Sequence, residues 1–139
     1  MILLDTSGFL AAQAPDQRHH EACAAVLRDA VGPFVFSPFV VAELDYLVTK
    51  LLGVDGEIRL LAEIVRKAYL HAPFQVGDLE QARQVIDRYR ELGIGLADAS
   101  LVVLSRRYST LDILTLDERH FRVLSGAGRA PFRLLPADC

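Results

Sequence analysis

The feature that most constrains this chain stands at its amino terminus, where three apolar residues, Ile2-Leu3-Leu4, run directly into Asp5, Thr6 and Ser7. A short apolar run bounded by polar residues reads as a buried strand, and this one delivers a carboxylate to the edge of a sheet. Asp5 alone is also a good helix N-cap, placed before Thr-Ser-Gly-Phe-Leu. Further acids, Glu43, Asp98 and Asp117, lie in apolar or strand-end settings where capping does not account for all of them.

Downstream, short apolar runs alternate with helical patterns. Residues 6–12 show a helical pattern that stops near Ala14-Pro15, because the residue before a proline is pushed out of the helical region. A second helix is predicted from Asp16 or Gln17 to Ala30. Residues 34–36 read as a second strand, and Ser37-Pro38 as the cap and first residue of a long helix from 39 to 52, closed by Gly53. Val54, Ile58, Leu61, Val65 and Ala68 then line one face of a further amphipathic helix. Residues 72–76 form a third strand candidate, weakened by Pro73. Asp78 is expected to cap a helix through 92, which Gly93 stops, and residues 96–107, apolar nearly all round, should form the most buried helix. Residues 112–115 and 131–135 read as the last strands, with a helical turn from Asp117 to Phe121 between them. Strands alternating with helices predict an α/β fold with a short central parallel sheet, helices on both faces and right-handed crossovers.

At 139 residues the chain has room for a single domain, 1–139, with a core of ordinary size. Its apolar runs fall far short of the roughly 20 residues of a membrane span. The stretch before Asp5 lacks the basic leader and full apolar segment of a secretory signal. Cys23 and Cys139 show neither a pairing pattern nor metal-type spacing, so a reducing cytoplasm is expected. A net charge of -3 argues against bulk attraction to nucleic acid. Yet no acid occurs between Glu118 and Asp138, and Arg119, Arg122, Arg129 and Arg133 fall in that window. They are candidates for a local RNA-binding patch, with a solvated tail as the competing reading. The hydrophobic fraction of 52% is high for a small monomer, and part of it is expected to cover an oligomer or partner surface.

Parallel sheets place their ligand sites at the carboxyl ends of the strands. Asp5 and Asp117 sit at such ends, Glu43 lies about one and a half turns into a helix that begins at one, and Asp98 falls in the first turn of the buried helix. Charges within Val40-Val-Ala-Glu-Leu44 and Leu96-Ala-Asp-Ala-Ser-Leu101 must be paired, protonated or bound to a metal, since an isolated buried carboxylate is too costly. Asp98 facing a helix dipole, and Glu43 paired with a basic residue of another helix, are the alternatives. Neither explains all the acids together. Oxygen ligands without Cys or His companions suit Mg²⁺, with Mn²⁺ as a substitute, and argue against zinc. The histidines are expected to stand outside the site, His120 merely trailing Asp117. Carboxylates with Mg²⁺ are equipment for hydrolysing a phosphodiester, because the ion polarises the phosphate, lowers the pKa of water and neutralises the departing oxygen.

Taken in order, Asp5-Thr-Ser7, Val41-Ala-Glu43, Leu96-Ala-Asp-Ala99 and Thr115-Leu-Asp-Glu-Arg-His-Phe121 closely resemble the PIN-domain ribonucleases of the VapC toxin type, over essentially the whole chain. The resemblance implies a single PIN-like nuclease domain and a Mg²⁺-dependent endoribonuclease toxin, usually a homodimer, held inactive by a cognate antitoxin. Residue by residue, it implies Asp5 and Asp98 as principal metal ligands, Glu43 and Asp117 completing the pocket, and Ser7 and Thr115 as supporting hydroxyls. Glu118 is an additional acid beside Asp117. An RNA-processing nuclease that is not a toxin, and a non-catalytic scaffold, are the alternatives within this resemblance. A phosphatase with an aspartyl nucleophile wants a second Asp where Ser7 stands. A phospho-receiver domain wants a lysine after a late strand, and Lys50 and Lys67, the only lysines, fall in helices.

Overall fold

A computed structural model describes all of residues 1–139. Five short strands form one sheet: β1 (Ile2–Leu4), β2 (Phe34–Phe36), β3 (Leu70–His71), β4 (Asp112–Leu114) and β5 (Arg133–Leu135). Every pairing is parallel and the spatial order is β3-β2-β1-β4-β5. The chain builds outward from β1 in one direction and then resumes on its other side with β4. The order therefore reverses between β1 and β4, and a crevice at the carboxyl ends of the strands belongs there.

Six α-helices connect the strands: α1 (Thr6–Gln13), α2 (His20–Asp29), α3 (Pro38–Arg66), α4 (Val76–Arg88), α5 (Leu96–Tyr108) and α6 (Glu118–Phe121). None is long and apolar enough to cross a membrane. As the sequence predicts, Ser37 caps α3, accepting the Phe39 N–H at 3.1 Å with Pro38 in the first turn. Gly53, at φ 72 and ψ −169, breaks α3 where a stop is expected. α5 is the central helix, with eight buried positions from Ala97 to Ser105.

Several expectations are corrected. α2 starts at His20 instead of Asp16 or Gln17, since residues 15–19 turn before the helix begins. β3 is Leu70–His71 instead of 72–76, because Pro73 has no N–H to offer a ladder and the chain leaves the sheet there. α4 begins at Val76 with Gln75 as its cap, and Asp78 serves from inside the first turn, accepting the Gln75 N–H at 2.8 Å. The helix ends at Arg88, and a 3₁₀ turn over Arg90–Leu92 leads to Gly93 at φ 68.

The largest departure is in the second half of α3. The side carrying Val54, Ile58 and Val65 is 60% exposed or more, and Gly56, Leu60 and Ile64 are buried in its place. This segment is apolar on both sides, and after the break at Gly53 it packs through the Leu60–Ile64 side. The stripe from Leu51 to Val65 is left facing solvent.

Candidate metal centre

β1 and β4 end side by side at the point where the strand order reverses. The Asp5 N–H donates to the Leu114 carbonyl at 3.1 Å, which carries the β1–β4 ladder one rung past the strands and makes Asp5 and Thr115 neighbours. The first turn of α1 then lies directly on β4. A Cβ at Gly8 would stand 2.5 Å from the Leu114 carbonyl oxygen, so only glycine permits this approach.

Asp5 is 4% exposed. Its Oδ2 accepts the Thr115 hydroxyl at 2.6 Å and the Ser7 hydroxyl at 2.7 Å. Each hydroxyl is itself aimed by a backbone amide: Ser7 Oγ accepts the Leu116 N–H at 2.9 Å, and Thr115 Oγ1 accepts the Asp117 N–H at 3.0 Å. Burial pushes the Asp5 carboxyl above its ordinary range; the hydroxyls of Thr115 and Ser7 oppose that rise, and the charge of Asp117 adds to it. Next to Asp5, the hydroxyl of Thr6 is buried without a hydrogen-bond partner.

Asp98 comes from the first turn of α5, whose cap, Gly95, supplies no side chain. The start of α5 is tied to the start of α3. Ser100 Oγ donates to the Ala97 carbonyl at 2.6 Å, so the buried 2.6 Å contact between Ser37 and Ser100 is donated by Ser37. Burial, and then the charge of Asp5, raise the Asp98 pKa to about 6; Asp117 adds to the rise and His120 opposes it.

Asp117 caps α6, accepting the His120 N–H on Oδ1 at 3.0 Å. The imidazole of His120 folds back between two carboxylates, with Nδ1 2.9 Å from Oδ2 of Asp98 and 2.9 Å from Oδ2 of Asp117. One ligand atom from each of Asp98, Asp117 and His120 falls within 4.8 Å of the others. His120 is the site residue that the sequence reading omitted. Its signal was the spacing from Asp117, because residues three apart share a helix face.

The structure therefore gathers Asp5, Asp98 and Asp117 in one crevice, with Ser7 and Thr115 supporting Asp5. Glu43 is placed differently: it is exposed on α3, so the expectation that its charge must be compensated for burial is corrected. The turn of α3 that carries it has Leu44 as its buried position. The window from Arg119 to Arg133 is free of acids in sequence but not in space. Arg122 holds Asp138 through bonds of 2.8 and 2.7 Å and also meets Glu118, which thereby faces away toward solvent. Arg133 holds Asp112 through bonds of 2.8 and 2.6 Å. Arg119 and Arg129 are exposed.

Carboxylates that raise one another's pKa by proximity are a donor set suited to a hard divalent cation, and Asp98 has the most to gain from one. Imidazole is the one donor here that Mg²⁺ does not favour. Lying within bonding distance of both carboxylates, it can instead aim them.

Residues 2–126 match the PIN domain family. The chain is 40% identical over 135 residues to Ribonuclease VapC26 of Mycobacterium tuberculosis (strain ATCC 25618 / H37Rv), covering 97% of this chain and 100% of that protein. Among solved structures, VapC20 of Mycobacterium tuberculosis, described as a sarcin-ricin loop cleaving toxin, is similar with a TM-score of 0.77 at 18% identity, covering 84% of this chain and 90% of that one. FitAcB from Neisseria gonorrhoeae is similar with a TM-score of 0.53 at 23% identity, covering 78% and 83%. These two structures bear on the fold.

Proposed function

The chain belongs to the PIN-domain family, and from that premise we propose that it is a Mg²⁺-dependent endoribonuclease, the toxin of a toxin–antitoxin pair. The observation that carries this reading is the convergence of Asp5, Asp98 and Asp117 at the carboxyl edge of the sheet, with ligand atoms of Asp98, Asp117 and His120 within 4.8 Å of one another. Three acids alone would repel the phosphate of RNA. Asp5, Asp98 and Asp117 would hold Mg²⁺, or Mn²⁺ in its place. When bound, the ion polarises the scissile phosphate, lowers the pKa of the attacking water and neutralises charge on the leaving oxygen.

The chain's own residues do the positioning. Thr115 and Ser7 fix the buried Asp5 carboxyl by donating both hydroxyls to one oxygen, and they oppose the rise in its pKa that burial imposes. His120 sets the separation of Asp98 and Asp117. The apolar stripe on α3, with Leu51, Leu52, Ile58 and Val65 between 60% and 82% exposed, supports covered surfaces in the working assembly, as in a homodimer or an antitoxin complex. An antitoxin can silence an anionic crevice by placing an Arg or Lys against the acids.

The test is cleavage of total cellular RNA by the purified protein. Cutting with Mg²⁺ or Mn²⁺, abolished by EDTA and by Asp5→Asn or Asp98→Asn, is expected. Unchanged cutting in excess chelator, or wild-type rates in both folded variants, would overturn the mechanism. Neutralisation by the product of an adjacent short gene separates a toxin from an RNA-processing nuclease.

A further inference from the structure

A second charged feature lies away from the acids. Arg88 ends α4, Arg106 stands in the last turn of α5, and Arg129 follows Gly128 in a 3₁₀ turn over Ala127–Arg129. With Gln84, Val85 and Gly128 they line a single cavity of about 420 Å³. None of the three arginines forms an ion pair, although nine other Arg, Lys or His side chains do.

The acids of α4 are already engaged, and Glu91, in the 3₁₀ turn after it, is exposed and forms no ion pair. On α4, Asp78, Glu80 and Asp87 are held by Arg107, Arg83 and Arg90 in turn. α5 has one acid, Asp98, in its opposite end. Helix C-termini attract cations, and that alone would account for one arginine on each helix. It does not account for a third arginine brought into the same cavity from a separate turn, with its backbone at φ 59. Left-handed backbone is unfavourable for a residue other than glycine, a strain that tends to persist at functional positions.

We propose that this cavity is a second anchoring site for the phosphodiester backbone of the substrate RNA, and the proposal rests on the ribonuclease reading above. Guanidinium groups match phosphate oxygens with paired donors. Gln84 adds both a donor and an acceptor, which suits a ribose hydroxyl or a base edge. The lining has only one hydrophobic residue, Val85, which leaves little for a protein partner to bury. The cavity stands at the far end of α5 from Asp98. Eight residues of helix place Arg106 about 12 Å along the axis from the acids. An RNA held at both places would run along the α4–α5 face, so the site grips sequence flanking the bond that is cut.

The experiment compares wild type with the triple variant Arg88→Ala, Arg106→Ala, Arg129→Gly, the glycine suiting the left-handed backbone. Binding of a long single-stranded RNA is measured in EDTA across a salt series, and a triple Arg→Lys variant serves as the charge-preserving control. Loss of three phosphate contacts should lower the slope of log K against log salt by about 2, at roughly 0.7 per contact on single strands. The Lys variant should keep the slope. With Mg²⁺, the triple variant should show a raised KM on long RNA and an unchanged kcat/KM on a minimal RNA with one cleavable bond and no flanks.

A folded triple variant with the wild-type salt slope would overturn the proposal. So would loss of binding to a glutamate-rich peptide with RNA binding intact, which would assign the cavity to a protein partner. Wild type that binds RNA with an arginine-dependent slope but cuts none would refute the ribonuclease reading while supporting the anchoring site. Wild type that binds no RNA either in EDTA or with Mg²⁺ would overturn both.

Discussion

Nδ1 of His120 lies 2.9 Å from a carboxylate oxygen of Asp98, a residue 22 positions earlier on a different helix. The same nitrogen is equally close to Asp117. One ring thus lies within bonding distance of both an acid from the first turn of α5 and the acid that caps α6.

His120→Ala should therefore weaken the centre without dismantling the fold. Removing a group that orients metal ligands typically costs about 10–100-fold in affinity or activity. Titration with Mn²⁺, followed by electron paramagnetic resonance, reads the affinity directly, and an unchanged dissociation constant would leave His120 no orienting part.

Asp98→Asn should stabilise the metal-free protein at neutral pH. Burial and Asp5 raise the folded pKa of Asp98 from 3.8 to about 6. The folded state thus holds a proton that the unfolded state has released, so stability falls as pH rises through that window and stays reduced above it. The variant avoids this loss, a gain on the order of 1–3 kcal/mol given that the side chain is 17% exposed. Below pH ~4 the advantage should disappear, because both states are then protonated. Mg²⁺ should narrow the gap at pH 7, since wild type binds it better. Thermal melts in EDTA and in Mg²⁺ check both points, and a variant that melts lower than wild type in EDTA would make Asp98 a structural partner.

Thr115→Val keeps the shape of the side chain but removes a donor to Asp5 and the acceptor for the Asp117 N–H. A buried carboxylate left short of a donor costs about 1–3 kcal/mol, visible in urea unfolding, and the Asp5 pKa should climb further. Thr115→Ser restores the hydroxyl and should recover most of the cleavage rate. Equal rates in Val and Ser variants would show that this hydroxyl is dispensable.

Arg122→Ala should leave the salt dependence of RNA binding unchanged, because both arms of its guanidinium hold Asp138. That exposed pair is worth about 0–1 kcal/mol. A fall in the salt slope by about 0.7 would mean that Arg122 exchanges Asp138 for a phosphate on binding.

Much of the arrangement was legible in the chain because it is local. Ile2-Leu3-Leu4 before Asp5 reads as a buried strand that hands over a carboxylate, Ser37-Pro38 as a helix start, and residues 96–107 as a helix buried on most sides, and each reading rests on neighbouring residues. What stayed hidden depends on residues meeting from afar. Asp138 returns to Arg122 across 16 positions and Arg133 reaches Asp112 across 21, so a stretch without acids is not an unneutralised one. Glu43 sits among apolar neighbours in sequence, but the rotation of α3 turns Leu44 inward and Glu43 out. The second half of α3, apolar on two sides, offers no periodic choice between them; packing after Gly53 decides. His120 looked incidental because its partner Asp98 is supplied by another helix.

Gly8 carries a lesson for anyone transplanting this acid set onto another α/β scaffold. The Asp5–Thr115 bond of 2.6 Å exists because α1 can rest on the Leu114 carbonyl, where an added Cβ would intrude to 2.5 Å. A blueprint that copied the carboxylates and hydroxyls but put alanine at this position would wedge helix and strand apart and pull donor from acceptor. The specification for the centre thus includes a methyl group that has to be left out.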